Sequence, residues 1–414
     1  MSDLSPTEKK FEEHIEQHLQ STGYTSSHFS EYDRTLCLIK DQIIDFIKTT
    51  QPEDWGRLSE IYDVDVENKV LSRISSEISK RGILDVLRNP VVDRGVYLNL
   101  CYFEPKSDLN PDHLTLFKSN KFTIVRQLHY SNQNENSIDM VLCLNGLPVV
   151  TMELKNQLTG QNVKHSENQY RNDRDPKEPL LQFKRCLVHF CADNNKVSMT
   201  TRLSGQKTFF LPYNRDLENP PVENGYRTKY LWEEILTPSS LMDIIENFVH
   251  VSKEKEFFFN DKTQKIDTKT KEVLIFPRYH QLDLIRKFRH QIREDGVGQN
   301  YLVQHTTGSG KSYSIGWLSH TLTSLYQKKG DTKRMFDTII VVTDRTVLDD
   351  QLKNTITSLE KIDGVVNGVN HGSQELKKFL EQSKDIVITT IQKFPFISET
   401  ISSLGDRTFG VIID

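Results

Sequence analysis

The sequence lacks long apolar runs, paired cysteines and an excess of one charge. No segment of its 414 residues approaches a membrane span, and the amino terminus has no apolar run that would make a signal peptide. We therefore expect a cytoplasmic protein that does not enter a membrane. The five cysteines are scattered without CxxC spacing, which favours buried free thiols over a metal site. The net charge of -4 excludes a global basic surface, so nucleic-acid binding would depend on local clusters.

The length and patterning predict an α/β protein with four segments. Residues 1–90 are expected to be the helical amino-terminal part of a first domain, because Phe11, Ile15 and Leu19 recur at helical spacing. Short strands follow in residues 91–251, which form the core of that domain. Residues 252–275 are rich in Lys, Glu, Asp and Thr, and are a linker or an exposed hairpin. Residues 276–414 alternate apolar strands with helices, as in a parallel sheet covered on both faces.

One β-hairpin, SIDMVLCLNGLPVVTMELK at 137–155, places ionisable residues on apolar strands. Side chains alternate faces along a strand, so Glu153 and Lys155 point the same way and stand roughly 6 to 7 Å apart. Charges on an apolar strand are seldom buried without a partner or a metal. With Asp139 on the first arm, the hairpin predicts that two acids and a lysine lie together and that a metal or another charged partner accompanies them.

The Asn145-Gly146 turn tests whether these residues share a face. A regular two-residue loop would set Asp139 opposite Met152, which points away from Glu153. A three-residue loop would set Asp139 opposite Thr151, on the same face as Glu153. We therefore expect an odd-length loop or a β-bulge in this hairpin.

The stretch HTTGSGKS at 305–312 predicts a nucleotide site. It lies between a predicted strand at Tyr301–Gln304 and a helix that begins near Ser312, as expected for a phosphate-binding loop. Lys311 would reach the β and γ phosphates, and Ser312 would bind Mg²⁺. His305 stands where the strict pattern has its first glycine. Asp414, at the end of the predicted strand FGVIID, would be a second acid that organises Mg²⁺.

Two charged segments leave alternatives open. Glu12 and Glu13 on the first predicted helix could reach an active site, although a solvated face is the expected interpretation. The helix predicted between Gln161 and Pro176 and the residues after it carry several basic side chains. They could hold phosphates or belong to a solvated face, because acids are interspersed among them.

Several stretches together resemble a known family. Asp139 with Glu153-x-Lys155 resembles the PD-(D/E)xK nuclease core, and HTTGSGKS resembles motif I of superfamily 2 helicases and translocases. FPRYHQ at 276–281 resembles the Q motif, VVTDRTVLDDQL and ITTIQKF resemble motifs Ia and Ib, and VIID resembles motif II cut after its first acid. A nuclease followed by a translocase is similar to the restriction and motor (R) subunit of type I restriction-modification enzymes.

The resemblance implies a PD-(D/E)xK α/β nuclease domain followed by a RecA-like P-loop domain with a parallel sheet. It implies that Asp139 and Glu153, with the Leu154 carbonyl, hold Mg²⁺ for cleavage of phosphodiesters, and that Lys155 orients or deprotonates the attacking water. It also implies Gln169 as a further catalytic residue and Gln281 as the residue that reads adenine. It implies Mg²⁺ and ATP as cofactors, double-stranded DNA as substrate, and modification (methyltransferase) and specificity subunits as partners. The implied nucleotide ligands are Gln281, Thr307, Gly308, Ser309, Gly310, Lys311, Ser312 and Asp414, with metal contacts from Ser312 and Asp414.

Two departures from the family pattern matter. The family has a QxxxY element after the lysine, whereas here Asp173 lies four residues after Gln169 and Tyr170 lies next to it. The family also has a second RecA-like lobe and a helical tail. The chain is therefore expected to correspond to an amino-terminal portion that ends at motif II, and to bind ATP weakly with almost no hydrolysis.

Three functions remain in competition at this point. The first is an ATP-dependent type I site-specific deoxyribonuclease, in which Mg²⁺-dependent DNA cleavage is coupled to translocation. The second is a nucleotide-dependent DNA translocase or helicase with an inactive nuclease-like domain. The third is a DNA-binding module of a larger assembly, which would need neither the Asp-Glu-Lys triplet nor the phosphate loop.

Overall fold

The chain divides into two compact units. The computed structural model describes residues 8–105, 111–157, 160–260, 264–328, 331–344, 346–360, 364–369, 372–393 and 404–414, without the side chains of 255–256, 260, 346–351 and 373. Within these ranges, the first unit comprises residues 8–105, 111–249 and 274–279, and the second comprises 250–260, 264–273 and 280–414. No helix within these ranges is both long and apolar enough to cross a membrane.

The helices of the first unit follow the apolar spacing of the sequence. On the first of them, α1 (Glu8–Ser21), the side chains of Phe11, Ile15 and Leu19 are all buried, as the stripe predicted. The others are α2 (Lys40–Thr50), α3 (Pro52–Tyr62), α4 (Val66–Arg81), α5 (Ile83–Arg88), α6 (Pro111–Lys118), α7 (Val163–Asn172) and α8 (Pro238–Asn247), with short 3-10 turns at Phe29–Glu31 and Pro179–Leu181 and a π-helical turn at Leu231–Ile235.

A mixed seven-stranded sheet forms the centre of the first unit. Its strands, in spatial order, are β1 (Tyr24–Ser26), β6 (Phe122–His129), β7 (Ser137–Leu144), β8 (Leu147–Leu154), β9 (Val188–Ala192), β10 (Val197–Thr200) and β11 (Leu211–Pro212). Two small hairpins pair β2 (Tyr32–Asp33) with β3 (Leu38–Ile39) and β4 (Val91–Asp93) with β5 (Val96–Leu98). Residues 1–90 were predicted to be helical, but β1 pairs in parallel with β6, so this segment also contributes a strand to the sheet.

The turn between β7 and β8 contains two residues. Asn145 and Gly146 have φ values of 51° and 81°, so both are left-handed, as in the turns that suit hairpins. A Cβ atom on Gly146 would lie 2.5 Å from the Ile39 carbonyl oxygen, so glycine is required for space as well as for backbone angle. Leu144 pairs with Leu147 across this turn. The three-residue loop considered above is therefore wrong.

A β-bulge supplies the extra residue instead. Cys143 pairs with Pro148, but the next pair is Leu142 with Val150, so Val149 has no partner of its own on β7. The shift moves the register by one residue, and beyond it Met140 pairs with Met152. The prediction of a bulge is confirmed.

The second unit contains a parallel sheet in the order β15 (Val366–Gly368), β16 (Ile386–Thr390), β14 (Thr338–Thr343) and β17 (Phe409–Ile413). Its helices are α9 (Tyr279–Asp295), α10 (Lys311–Thr323), α11 (Thr346–Ser358) and α12 (Ser373–Glu381). Residues 252–275 form most of a two-stranded hairpin, β12 (His250–Asn260) with β13 (Lys265–Ile275). The chain is α/β, as the sequence predicts.

Two expectations about the second unit have different outcomes. Residues 301–304 are not a strand, and the Leu302 side chain is 96 % exposed, so the predicted strand before the phosphate loop is wrong. A short apolar segment becomes a strand only when a neighbouring strand supplies hydrogen bonds, and within the described ranges this segment has no such neighbour. Arg345 and Phe394, which belong to the predicted motifs Ia and Ib, lie outside the described residues.

Candidate nuclease site and candidate nucleotide site

The hairpin brings Asp139, Glu153 and Lys155 together. Since Met140 pairs with Met152, Asp139 and Glu153 occupy the next facing positions of β7 and β8. The Lys155 Nζ atom lies 4.0 Å from the Asp139 Oδ2 atom, and all three side chains are buried. Asp139 therefore shares a face with Glu153, as predicted, although it lies opposite Glu153 and not opposite Thr151.

The Leu154 backbone helps to fix Asp139. Its N–H donates a hydrogen bond of 2.7 Å to Asp139 Oδ2, so Leu154 contributes a donor to the site in addition to the carbonyl that the sequence suggested as a metal ligand. A backbone donor to a carboxylate fixes the orientation of that carboxylate.

Glu153 is completely buried, and its two oxygens differ. Oε1 accepts a 2.7 Å hydrogen bond from Arg174 Nε, whereas Oε2 has no hydrogen-bond partner. Burial raises the pKa of Glu153 well above its ordinary value, the nearby Asp139 raises it further, and Arg174 opposes both. The unpartnered oxygen beside a second carboxylate is an environment that a cation would stabilise.

Arg174 is a site residue that the sequence did not single out. It was one of several basic residues that could have held phosphates, but its guanidinium is buried against Glu153 and also donates a 2.6 Å bond to the Ser137 carbonyl. Arg185, in the same stretch, is buried too and donates to the Leu36 and Cys37 carbonyls. For these two arginines, the phosphate-binding alternative is wrong.

The first helix supplies two acids to the site. Glu8 Oε2 lies 3.5 Å from Lys155 Nζ, and Glu12 is buried with its carboxylate 3.2 Å from Arg126 Nε. The solvated-face interpretation of Glu12 is therefore wrong. Glu8 and Glu12 are one turn apart on the stripe that also carries Ile15, and this continuation of the buried face was the signal that could have identified Glu12.

The pKa of Glu12 reflects this position. Burial raises it from 4.5 to about 7, with Asp139 as the second cause, while Arg126 and a hydrogen bond from Gln127 act in the opposite direction. Glu12 can therefore change its charge near neutral pH, next to the predicted metal ligands.

Tyr170, and not Gln169, joins the hydrogen-bond network behind the site. The Tyr170 hydroxyl lies 2.6 Å from Thr151 Oγ1, which lies 2.7 Å from His189 Nδ1, and all three residues are buried. Burial lowers the pKa of His189 to about 3, so its ring is neutral. Gln169 is half-buried on α7, and no hydrogen bond or ion pair of its side chain to the Asp-Glu-Lys triplet appears in the described structure. Its catalytic role stays a prediction.

The residues present fit a divalent cation at Asp139 and Glu153. Both are oxygen donors, and Glu153 Oε2 is a buried acceptor without a donor. Among the described residues, no group of three or more His, Cys, Asp or Glu side chains is arranged to hold a metal. The roles of Asp139, Glu153 and the Leu154 carbonyl as metal ligands stay a prediction.

The phosphate loop leads directly into α10, as the sequence predicts. Gly308 and Gly310 are left-handed, with φ values of 78° and 84°. Since α10 begins at Lys311, the loop backbone lies at the amino-terminal end of the helix, where backbone N–H groups can bind an anion. The loop residues Thr307, Gly308 and Lys311 are exposed, and Ser309, Gly310 and Ser312 are half-buried. A phosphate group would have open access to this end of the helix.

Gln281 contacts the phosphate loop itself. Its Nε2 donates to the Gly310 carbonyl at 3.1 Å, and the ring nitrogen of the preceding His280 lies 3.0 Å from the Ser309 carbonyl. The loop therefore positions the Gln281 side chain. Its role in reading adenine stays a prediction. Asp414 follows β17, where its backbone N–H donates to the Val342 carbonyl at 3.0 Å, and its carboxylate is exposed.

Two protein families match separate parts of the chain. Residues 5–208 match the family described as the type I restriction enzyme R protein N terminus, and residues 280–414 match the SWI2/SNF2 ATPase family. Residues 5–208 are therefore similar to the amino-terminal portion of type I restriction enzyme R proteins. The Asp-Glu-Lys triplet, Glu8 and Glu12 fall within the R protein match, and the phosphate loop falls within the ATPase match.

Curated proteins similar to this chain come from bacteria and an archaeon. The chain is 26% identical to the type I restriction enzyme HindI endonuclease subunit of Haemophilus influenzae, over 68% of this chain and 26% of the relative. It is 24% identical to the SsaAORF53P endonuclease subunit of Staphylococcus saprophyticus, over 66% of this chain and 26% of the relative. The chain is 22% identical to the putative type I restriction enzyme MjaVIIIP endonuclease subunit of Methanocaldococcus jannaschii, over 88% of this chain and 32% of the relative. The matched region thus spans about a quarter to a third of these relatives.

Proposed function

We propose that the chain is part of a restriction and motor subunit whose first unit cuts double-stranded DNA with Mg²⁺ and whose second unit binds ATP to drive DNA translocation. The observation that carries the nuclease proposal is the buried face shared by Asp139, Glu153 and Lys155, on which Glu153 keeps an unpartnered oxygen. The names of the curated relatives, which are endonuclease subunits, support it.

In this proposal, the carboxylates of Asp139 and Glu153 would hold Mg²⁺. Bound Mg²⁺ stabilises negative charge that develops on the phosphate and makes water a stronger acid. The Leu154 N–H keeps one Asp139 oxygen in place, and Arg174 keeps Glu153 from turning away. Lys155, which lies 4.0 Å from Asp139 Oδ2, orients the attacking water or the phosphate oxygen.

Plasmid nicking tests the nuclease proposal. We expect the 414-residue chain to nick supercoiled plasmid in Mg²⁺ or Mn²⁺, and Asp139→Ala, Glu153→Ala and Lys155→Ala each to lower the rate at least 100-fold with unchanged circular dichroism. Glu60→Ala, a change at an exposed acid of α3, is the control and should cut at the wild-type rate. Wild-type cutting by all three site variants would refute the proposal.

One observation favours the second candidate, a translocase with an inactive nuclease-like domain. Arg174 already occupies one oxygen of Glu153, which reduces the negative charge available to a metal. In that case neither Mg²⁺ nor Mn²⁺ would support nicking, although nucleotide binding would persist. Arg174→Ala would then not create cleavage, because the site would lack more than a free carboxylate.

The motor part of the proposal rests on the phosphate loop. Lys311 begins α10 beside two left-handed glycines, so we propose that it binds the phosphates of ATP, with Ser312 and Asp414 on Mg²⁺ and Gln281 near the adenine. Titration with a fluorescent ATP analogue should give saturable binding that Lys311→Ala weakens at least tenfold. Equal binding by Lys311→Ala would contradict the assignment.

We further propose that modification and specificity subunits are the protein partners and supply target recognition. The name of the matched family, a type I restriction enzyme R protein, supports this assignment. Co-purification of the full-length R protein with both subunits, and cleavage that depends on the specificity subunit, would test it.

A further inference from the structure

Gln127 has an unusual backbone conformation inside β6. Its neighbours Arg126 and Leu128 pair normally with Met140 and Ile138 of β7, so Gln127 stands opposite Asp139. Its φ is 47°, a left-handed value that a residue with a side chain adopts only at a cost in energy. Such strain inside a paired strand needs a compensating contact.

The side-chain amide of Gln127 makes that contact. Its Nε2 lies 2.9 Å from Glu12 Oε1 and 3.4 Å from Asp139 Oδ1, so one amide nitrogen serves two carboxylates from different elements. Its Oε1 accepts a 2.8 Å bond from the Ser137 hydroxyl. Since the Ser137 hydroxyl donates to Oε1, the NH₂ end of the amide faces Glu12 and Asp139.

The left-handed backbone explains how two consecutive residues reach the same carboxylate. In a regular strand, Arg126 and Gln127 would point to opposite faces. Here Arg126 Nε lies 3.2 Å from Glu12 Oε2 while Gln127 donates to Oε1, so both oxygens of Glu12 have donors. The left-handed backbone at Gln127 thus lets both side chains reach Glu12, one at each carboxylate oxygen.

We propose that Gln127 is a positioning residue of the candidate nuclease site, which links Glu12 on α1 to Asp139 and thereby sets the Asp139 carboxylate for a divalent cation. The inference rests on the proposed function. The Leu154 N–H holds Oδ2 of Asp139 at 2.7 Å, and the Gln127 amide approaches Oδ1 from the other side, so rotation of the carboxylate is restrained at both oxygens. Groups that hydrogen-bond to metal ligands in this way commonly change metal affinity 10- to 100-fold when removed.

Mn²⁺ binding to the 414-residue chain, measured by titration calorimetry, tests the inference without relying on cleavage. The decisive variant is Gln127→Gly, which removes the amide and also relieves the left-handed strain, because glycine adopts this φ freely. We expect its melting temperature to equal or exceed that of the wild type while its Mn²⁺ dissociation constant rises at least tenfold. A merely structural role would move stability and affinity in the same direction.

Two further variants complete the set. Gln127→Met keeps the length of the side chain without its polar atoms and should weaken Mn²⁺ binding as Gln127→Gly does. Ser137→Ala leaves the amide free to turn and should weaken binding less. Wild-type affinity in either Gln127 variant that folds would overturn the inference.

Asp139→Ala separates this inference from the proposed function. If wild type and Asp139→Ala bind Mn²⁺ equally, the proposed metal site is wrong and the inference falls with it. If Asp139→Ala abolishes binding while the Gln127 variants bind as the wild type does, only the inference is wrong.

Discussion

The buried Glu12 should make the stability of the first unit depend on pH in one direction. Its pKa rises from 4.5 to about 7 on folding, because α1 buries the carboxylate close to Asp139. The unfolded chain therefore releases this proton at a lower pH than the folded chain. Stability from this group is fully present below about pH 4.5 and is lost as the pH rises towards 7.

The magnitude follows from the size of the pKa change. Each pKa unit corresponds to about 1.4 kcal/mol, so ionised Glu12 should cost the folded state roughly 3 kcal/mol, with the attraction of Arg126 already included. Glu12→Gln cannot ionise and keeps an acceptor for Gln127. The free energy of unfolding of Glu12→Gln, relative to wild type, should therefore increase by roughly 3 kcal/mol between about pH 4 and pH 8.

Urea denaturation at both pH values would measure this difference. Trp317 belongs to the second unit, so Trp317→Phe in every background leaves Trp55 and Trp232 to report on the first unit. Glu13→Gln removes the same charge one residue further along α1 and is the matched control. If Glu12→Gln and wild type differ by the same amount at both pH values, the placement of Glu12 in a buried acidic site is wrong.

Three further changes probe the framework of the site by the same denaturation assay. Gly146→Ala should destabilise by roughly 3 kcal/mol or more, whereas Gly160→Ala, with a similar φ but open space around it, should lose about 1 to 2 kcal/mol. Arg174→Met should lower the free energy of unfolding by roughly 3 kcal/mol at pH 8, because it leaves the buried Glu153 carboxylate without its partner. The loss should be smaller at pH 5, where Glu153 is more easily protonated. Tyr170→Phe should lower the free energy of unfolding by about 1 kcal/mol, because it removes the buried hydrogen bond to Thr151. If any of these variants were as stable as the wild type, the contact on which its prediction rests would be wrong.

Local patterns were sufficient for the parts of this protein that depend on neighbouring residues. Strand alternation placed Glu153 and Lys155 on one face, and the Asn-Gly pair located the turn of the hairpin. Glycine spacing before Lys311 located the phosphate loop at a helix start. Each of these rests on backbone geometry within one turn or one strand, and such geometry is written directly in the order of residues.

The tertiary structure decided which side chains complete the site. Arg174, Glu12 and Gln127 come from a loop, a helix and a neighbouring strand, and no spacing rule relates them to Asp139 or Glu153. Residues 301–304 show the converse, since their apolar sequence predicts a strand but the described structure provides no pairing edge. Burial, ion pairing and strand pairing gain free energy only when distant segments meet. The sequence alone therefore located the two acids and the lysine. The fold determined which side chains surround them and raised the pKa of Glu153.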